Sequence, residues 1–362
     1  MRIALGIVKL FPEGGLQRDC VRLARILVDR SHDVTLFTSD SRWRFERPPC
    51  RIVLLPASSY FNHRRDVTFS TRFAVASGRG FDRIVGFNKL VGLDVYYCAD
   101  PSVLARGRGP LARMLPRHRT QVMLERSCFA PAQRTHILAL TDASAASYRH
   151  AWGTEAQRIT VLQPSIDPAR LRPDLRAAPQ RAAIRATLGL ADDRATWLWV
   201  GAQAKVKGLD RALAALQATP DTTLLAAGVG PDAAEAREAK HMVGDRVHFL
   251  GFRDDIPELM AAADVLVHPS RLDVTGQVIL EAIVNGLPAV VTGLCGFAEH
   301  VAKAGAGLVL PEPFAQHDLD AALARLREPA LANAMSIAGI RYGDVTAPVS
   351  GLDQAADLIE RI

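Results

Sequence analysis

The sequence lacks any apolar run that approaches the ~20 residues needed to span a bilayer. It also lacks a cleavable signal pattern, because its N-terminus, Met1 to Leu5, leads directly into a predicted strand. We therefore expect a cytoplasmic protein. Aromatic residues make up only 6% of the chain and hydrophobic residues 49%, which is ordinary for a globular α/β protein. The 362 residues suffice for two domains of the usual ~100–200 residues.

Cysteine is scarce and unpatterned. The five cysteines form no C-x-x-C pair, and their odd number and wide spacing argue against a disulfide framework or a zinc site. The only conspicuous D-x-D in the sequence, Asp318-Leu319-Asp320, falls in a predicted amphipathic helix. A solvated helix face is far more common there than a Mg²⁺ site. The sequence therefore predicts no metal and no other cofactor.

A complete G-x-G-x-x-G fingerprint is also missing, and Gly228-x-Gly230 is only a weak approach to it. The net charge of +6 and the pI near 9.3 fit an acidic partner, such as a nucleotide, an anionic lipid surface or a nucleic acid. We predict no nucleic-acid partner, because no recognised binding module or stacking aromatic surface accompanies the arginines.

Alternating strand and helix patterns divide the chain into two similar halves. In the first half we predict a helix at 17–29 and strands at 3–8, 34–38, 52–56, 84–87, 137–140 and 161–162. In the second half we predict five strands, at 196–200, 223–227, 247–250, 265–268 and 289–292, with helices at 209–218, 232–240, 255–262 and 276–285 between them. The expected fold is α/β, with two doubly wound, Rossmann-like parallel-sheet domains that face each other across a cleft.

The stretch from Asp273 to Glu281 carries the strongest functional signal. It follows a short apolar run, which reads as a buried parallel strand, and a Pro-Ser turn. A helix starting at Gly276 would offer free backbone N–H groups and a positive dipole end to a diphosphate. One of these two carboxylates could then reach the sugar of a nucleotide sugar, and the other could accept hydrogen bonds from its ribose hydroxyls. The alternative is that Asp273 caps the helix and Glu281 is a solvated helix residue.

Two loops add groups that suit a diphosphate. Lys205 and Lys207 lie in a glycine-flanked loop between a predicted strand and a helix. Their ammonium groups could neutralise the phosphates and the charge that builds on a departing nucleoside diphosphate, although a solvated basic loop is the alternative. Gly14-Gly15 follows the first strand and is either a flexible turn or a close approach of the backbone to a ligand.

Taken together, these residues resemble a known family. Lys205-x-Lys207-Gly208, Gly228-x-Gly230, the 273–281 stretch and the terminal segment 352–362 are similar to glycosyltransferases of the GT-B architecture, sequence family 4. More specific segments resemble the members of that family that add the first hexose to the inner-core heptose of lipopolysaccharide. These segments are 11–19, 61–65, 85–100, 286–288 with Cys295-Gly296, and 311–314.

The resemblance implies a retaining, metal-free transfer of a hexose, glucose above all, from a UDP-sugar to a heptose hydroxyl of the lipid-linked core. It implies an acceptor domain at 1–165, a nucleotide-sugar domain at 166–345 and a C-terminal helix, 346–362, that crosses back to the first. By this resemblance the donor-binding residues are Gly15, Lys205, Lys207, Asp273, Thr275, Gly276, Gln277 and Glu281. The catalytic residues are Asp19, Asp100 and Lys207.

Some of these assignments have ordinary alternatives. Asp100 ends a predicted strand and is the best carboxylate to orient or help deprotonate the acceptor, but it could instead cap the next helix. Asp273 stands where the family has glutamate, and a carboxylate one methylene shorter leaves the donor hexose open, because such contacts are sensitive to shifts of about an ångström. His63, His118 and His268 are predicted to be ordinary surface or core residues.

Residues 103–126 form a basic, amphipathic segment. It holds six arginines against the single Glu125, interleaved with leucine, methionine and valine. Such a stretch suits an anionic membrane surface, which places the protein on the cytoplasmic face of the inner membrane if its acceptor is lipid-linked. A solvated face is the alternative.

Two other functions stay open at this point. A UDP-sugar 2-epimerase has the same two-domain architecture and would need no acceptor. A catalytically idle nucleotide-sugar-binding protein is made conceivable by the replacement at Asp273.

Overall fold

The computed structural model describes residues 1–12, 14–43, 48–57, 59–78, 80–106, 109–346 and 350–362. The chain forms two compact units, Met1–Pro164 with Ser350–Ile362, and Ser165–Val349. Three parts of the sequence predictions lie outside the described residues: Glu13 of the 11–19 segment, Arg108 of the basic segment, and residues 347–349 at the predicted C-terminal helix.

The first unit is built on a parallel sheet that has seven strands within the described ranges, in the order β3-β2-β1-β4-β5-β6-β7. The strands are β1 (Arg2–Leu10), β2 (Asp33–Ser41), β3 (Arg51–Leu54), β4 (Arg83–Gly86), β5 (Val95–Cys98), β6 (His136–Ala139) and β7 (Ile159–Val161). The helices that connect them are α1 (Gly15–Asp29), α2 (Asn62–Ser77), α3 (Pro110–Met114), α4 (Pro116–Phe129) and α5 (Asp142–Trp152).

The second unit repeats this plan with six parallel strands in the part of the chain that is described, in the order β10-β9-β8-β11-β12-β13. They are β8 (Ala195–Val200), β9 (Thr222–Ala227), β10 (Val247–Gly251), β11 (Val265–His268), β12 (Ala289–Thr292) and β13 (Gly307–Leu310). Its helices are α6 (Ala178–Thr187), α7 (Leu209–Gln217), α8 (Ala234–Val243), α9 (Ile256–Ala262), α10 (Gln277–Val284), α11 (Ala298–Ala304), α12 (Gln316–Arg325) and α13 (Pro329–Thr346).

A last helix, α14 (Gly351–Arg361), belongs to the first unit. The Ser350 hydroxyl oxygen caps it by accepting a hydrogen bond from the Asp353 N–H. One face is apolar at helical spacing and fully buried, through Leu352, Ala355, Ala356 and Ile359. On its outer side, Asp357 Oδ1 lies 2.6 Å from Arg30 Nη1, just beyond α1. Burial and this ion pair attach the end of the chain to α1.

Apolar sequence explains the central strands. Every residue of β11 and β12 is buried, as expected for parallel strands that are covered on both faces by helices. All predicted strands are present with small shifts at their ends, and both sheets are parallel as predicted.

Several elements were not predicted, namely α2, α5, α11, α13 and β13, and two of these omissions have a clear cause in the sequence. The prediction of five strands in the second half was wrong, because β13 adds a sixth at the sheet edge. It begins with glycine and exposes Val309, so it lacks the apolar run of a central strand. Helix α2 was also missed. Its buried face consists of two phenylalanines and two serines, which gives a weak apolar period.

Strand order reverses direction at one point in each sheet. In the first sheet this point lies between β1 and β4, and in the second it lies between β8 and β11. In doubly wound sheets, ligands bind beyond the carboxyl ends of the strands that flank such a point. The loops after these four strands are therefore the places to examine for function.

Candidate functional site

Lys207, Asp273 and His268 form a contiguous cluster in the second unit. Lys207 lies in the loop after β8, and His268 ends the neighbouring strand, β11. Lys207 Nζ lies 2.5 Å from Asp273 Oδ2, and His268 Nε2 lies 3.0 Å from the same oxygen. The Gly276 N–H donates to Asp273 Oδ1 over 2.9 Å. Both carboxylate oxygens are thus bound by protein groups at the reversal point of the sheet.

This environment keeps Asp273 ionised. Burial alone would raise the pKa of its carboxyl group, but the hydrogen bond and charge of His268 and the charge of Lys207 lower that pKa to about 2. Since a carboxylate only accepts hydrogen bonds, Nε2 of His268 carries the proton. The charged carboxylate holds the Lys207 ammonium group in one position, and the contact of that group with donor phosphates stays a prediction.

The contribution of His268 was missed by sequence reasoning. It is a core residue, as predicted, with no exposed surface, but it also contacts a predicted site residue. Its position at the end of a buried strand, just before the Pro-Ser turn, was the available signal. Its Nδ1 atom is buried and has no hydrogen-bond partner among the residues that the structure describes.

Helix α10 starts in a conformation that requires glycine. Gly276 precedes the helix with a φ of 76°, and a Cβ at this position would lie only 2.6 Å from Ile279 Cδ1. Gly276 has no side chain to cap the first turn; its own N–H donates to Asp273 Oδ1, and the Ile279 N–H donates to the Gly276 carbonyl oxygen over 2.8 Å. A helix therefore starts at the predicted place, and its binding of a diphosphate stays a prediction.

Glu281 lies inside the unit rather than in solvent. Its side chain is 6% exposed, and its Oε2 lies 2.9 Å from Arg170 Nη1. Asn285 supports this arrangement by donating to the carbonyl oxygens of Arg170 and Glu281 over 2.8 Å each. The alternative of a solvated helix residue is thus wrong, and Arg170 is a neighbour that sequence reasoning did not identify.

The other predicted donor residues differ in how firmly they are held. Lys205 is exposed, while its carbonyl oxygen accepts from Arg271 Nη1 over 2.6 Å. The Gln277 amide donates to the Ser165 carbonyl oxygen over 2.7 Å, and the Thr275 carbonyl oxygen accepts from the backbone of α11's N-cap over 2.7 Å. Hydrogen bonds to two other segments, at Ser165 and at the start of α11, therefore hold residues 275–277 in place.

Asp100 lies in a cavity of the first unit. The cavity has a volume of about 370 Å³ and is lined in part by polar residues of β1, α1, α2 and α4 and of the loops after β4 and β5, namely Lys9, Gln17, Arg65, Asp66, Asn88, Lys89, Asp100, Arg106, Arg117 and Gln121. The Tyr96 hydroxyl donates to Asp100 Oδ2 over 3.5 Å. Asp100 is no helix cap, because the next described helix begins only at Pro110.

Asp19 and Gly15 both lie on α1, and neither lines this cavity. The Tyr97 hydroxyl donates to Asp19 Oδ2 over 3.0 Å, and Arg22 Nη1 lies 3.7 Å from Asp19 Oδ1. A Cβ at Gly15 would meet no atom within 4 Å. Packing in the unit therefore gives no reason for a glycine at this position. The structure thus brings Lys207, Asp273 and Gly276 together, but it places Asp19 outside the cavity of Asp100.

Comparisons with known proteins give the family. Residues 13–170 match the family model "Glycosyltransferase Family 4", and residues 180–341 match "Glycosyl transferases group 1". The lipopolysaccharide glucosyltransferase WaaG of Escherichia coli K12 is 35% identical over an alignment that covers 99% of this chain and 98% of WaaG. The chain is a family 4 glycosyltransferase.

Solved structures agree with this assignment. The crystal structure of WaaG matches with a TM-score of 0.91 and 34% identity over 99% of both chains. Anabaena HepE, solved in complex with UDP and glucose, matches over 100% of both chains with a TM-score of 0.74 at 20% identity, which supports the fold alone. The predicted family and the GT-B fold with two Rossmann-like domains are confirmed.

The basic segment of this glycosyltransferase is only partly a surface. Leu111 and Met114 on α3 are 81% and 74% exposed, and Leu115 is 55% exposed. Arginines 113, 119 and 126 are also exposed. Glu125, in contrast, is fully buried, so it does not moderate the positive charge of this face.

Glu125 binds inward instead. Its carboxylate accepts from Lys89 Nζ over 2.7 Å, from the Ser102 hydroxyl over 2.6 Å, and from the Trp152 ring N–H and the Val103 backbone N–H over 2.7 Å each. Although burial alone would raise the pKa of Glu125, Lys89 and these donors lower it. The residue therefore joins α4 to the loop that follows Asp100.

Two further observations concern metals and membranes. Asp318 and Asp320 of the D-x-D lie in α12, where Asp320 accepts from Gln316 on the same helix. Among the described residues, no three His, Cys, Asp or Glu side chains are grouped to hold a metal ion, and the metal-free reaction stays a prediction. No helix in the described ranges has both the length and the apolar content needed to cross a membrane.

Proposed function

We propose that this glycosyltransferase moves glucose from UDP-glucose to an inner-core heptose of lipopolysaccharide, with retention of the anomeric configuration. The observation that carries the proposal is the 35% identity to WaaG across 99% of the chain. The Lys207 cluster and the helix start at Gly276 supply the chemistry that such a donor needs.

On the donor side, positive groups take the place that a metal ion has in other transferases. Lys207, together with Lys205 and the α10 N–H groups, faces the charge that develops on the diphosphate as its bond to C1 breaks. Glu281 binds the ribose, and Gly15 leaves room for the diphosphate beside α1. Removing Lys207 should therefore raise the free energy of the transition state more than that of the bound ground state.

On the acceptor side, Asp100 orients the heptose hydroxyl from the cavity of the first unit. The hydroxyl oxygen forms the new bond to C1 on the face that the diphosphate leaves, and the proton passes to the departing diphosphate oxygen. No strong enzymic base is then required, which fits a site whose best placed carboxylate only orients.

The two other functions require different products. An epimerase would release an altered UDP-sugar without an acceptor, and an idle binding protein would release nothing. Incubation with UDP-glucose, with and without heptose-terminated lipopolysaccharide, separates all three. We expect UDP release that depends on the acceptor and an α-linked glucose by NMR. Acceptor-independent epimer, or binding alone, would contradict the proposal.

We further propose that the segment 103–126 binds the anionic inner-membrane surface on its cytoplasmic side, where a lipid-linked acceptor would be found. The exposed Leu111, Met114 and Leu115 lie among exposed arginines, which is the pattern of a helix that lies in a membrane interface. Such basic side chains contribute about 1 kcal/mol each at an anionic surface.

Vesicle flotation tests this second proposal. We expect flotation with vesicles that contain phosphatidylglycerol, and loss of flotation when arginines 113, 119 and 126 are replaced by glutamine. The matched control replaces arginines 72, 237 and 325, which are exposed elsewhere and give the same change in net charge. Equal loss in both triple variants would point to net charge alone and would contradict a role for the segment.

A further inference from the structure

The cavity of the first unit carries more positive than negative charge. Five cationic side chains line it, Lys9, Arg65, Lys89, Arg106 and Arg117. The carboxylates that line it are Asp66 and Asp100. To bind a neutral sugar, a protein needs hydrogen-bond acceptors and donors for its hydroxyl groups, but it does not need such an excess of cations.

Part of this charge is balanced within the protein. Lys89 Nζ is neutralised from behind by the buried Glu125, at 2.7 Å. Arg65 Nη2 lies 3.3 Å from Asp66 Oδ1, and its Nη1 donates to Asn62 over 3.0 Å. Arg117 also lies close enough to Asp66 to act on its charge. One carboxylate therefore serves both arginines.

The remaining groups are available to a ligand. The described structure shows no ion pair of Lys9 or Arg117, and the Nε atom of Arg65 is buried without a hydrogen-bond partner there. Burial raises the pKa of Asp66, against the lowering effect of Arg65, and this one carboxylate faces both Arg65 and Arg117. A buried donor without a partner is costly unless a ligand meets it.

We propose that Lys9, Arg65 and Arg117 bind an acidic group of the acceptor saccharide, a carboxylate or a phosphate. This inference rests on the proposed glucosyl transfer, and it deepens it by naming the side chains that recognise an acid group of the heptose-containing acceptor. Guanidinium groups suit both acids, because their planar N–H groups match two oxygens at once. Asp100 carries the opposite charge, and it is left to orient the hydroxyl that reacts.

A soluble acceptor keeps the membrane out of the test. The core oligosaccharide is freed of its acyl chains and used in three forms: intact, with its carboxyl groups reduced to alcohols, and with its phosphates removed. We expect at least one of the neutralised forms to lose about tenfold in kcat/KM, the effect of about 1.4 kcal/mol. Loss on reduction identifies a carboxylate as the ligand, and loss on dephosphorylation identifies a phosphate.

Variants connect that loss to the cavity. Lys9→Gln and Arg117→Gln should each lower kcat/KM about tenfold on the intact acceptor and about twofold or less on the weaker form, with KM for UDP-glucose unchanged. Arg72→Gln is the control, because Arg72 is an exposed arginine of α2 that does not line the cavity. Where a variant fails to fold, the comparison of acceptors on the unaltered enzyme still decides.

The outcomes separate this inference from the function on which it rests. If the unaltered enzyme transfers glucose equally well to all three acceptors, the inference is wrong and the function stands. If kcat/KM of both variants falls as much with the neutralised acceptor as with the intact one, the cations act on something other than an acid group. The inference is then again overturned. If no acceptor supports UDP release, the proposed function itself fails.

Discussion

Replacing Asp273 by asparagine tests the charged cluster of the second unit directly. The side chain keeps its size but loses its charge, so Lys207 and the buried His268 lose their common partner. The difference between a pKa of about 2 and the ordinary value of 3.8 corresponds to about 2.5 kcal/mol of stability at neutral pH. We expect Asp273→Asn to lower the free energy of unfolding of this unit by about 2 kcal/mol at pH 7.

The stabilisation by Asp273 should depend on pH in a defined direction. Because the folded-state pKa is lowered, the stabilisation is complete above the unfolded-state pKa near 4 and is lost as the pH falls towards 2. The difference between the two proteins should therefore shrink to about half of its neutral value at pH 3. Asp210→Asn is the control in the same unit, since its pair with Arg271 is 53% exposed on the aspartate side and should be worth less than about 1 kcal/mol.

Urea unfolding at pH 7 and pH 3, followed by pulsed hydrogen exchange of peptides from β8 and β11, measures the second unit by itself. A two-unit protein need not unfold in one step, so a signal from the whole chain would not suffice. If Asp273→Asn is as stable as the unaltered protein at pH 7, or if the difference does not change with pH, the account of the cluster is refuted.

The same variant separates two roles for Asp273. If the carboxylate binds only the donor hexose, as predicted from its spacing to Glu281, UDP should bind to Asp273→Asn with unchanged affinity while kcat/KM for UDP-glucose falls. If its main role is to hold Lys207, the affinity for UDP itself should fall. Calorimetry with UDP alone decides between them, and unchanged values in both assays would remove Asp273 from the site.

Three further predictions follow from the geometry. Lys207→Ala should lower kcat/KM by about 10²- to 10³-fold, like the loss of other preorganised charge contacts, and near-normal turnover would exclude its role. Gly276→Ala should cost about 1–2 kcal/mol of stability because of its positive φ, whereas Gly15→Ala should leave thermal stability unchanged and weaken donor binding only. Glu125→Gln should destabilise the first unit by about 3 kcal/mol, because Lys89 then stays buried without a counter-charge, while Glu299→Gln, in an exposed pair, should have almost no effect in the same urea titration.

The parts of the site that follow from local sequence were predicted. Lys207, Gly276 and Asp273 lie in loops whose length and glycine content are set by the strand before them and the helix after them. Strand, turn and helix signals are local, so their positions could be inferred without knowing the fold. Glu281 was identified for the same reason, by its distance along the helix from Asp273.

The contacts that tune these groups could not be predicted, because they join distant parts of the chain. Arg170 reaches Glu281 across 111 positions, and Lys89 reaches Glu125 across 36. A basic segment with one glutamate reads as an exposed face in the sequence, since nothing local shows that the glutamate points inward. His268 is only five positions from Asp273. It ends an apolar strand, however, and the sequence of that strand does not indicate a polar contact.

The inward position of Glu125 connects two parts of the first unit, the basic segment 103–126 and the cavity that contains Asp100. The sequence predicted a role for each of them separately. Helix α4 presents Met123 and Arg126 to solvent, and from the next positions it directs Leu124 and Glu125 into the unit. Glu125 binds Ser102 and the Val103 N–H, in the loop that carries cavity residues, so the helix and the cavity wall share one buried carboxylate. A membrane that binds the outer face of α4 therefore acts on the element that shapes the acceptor cavity. We therefore expect a membrane-embedded acceptor to be used with a higher kcat than its soluble form, because membrane binding would hold this wall in place. Equal kcat values for the two acceptors would contradict this link.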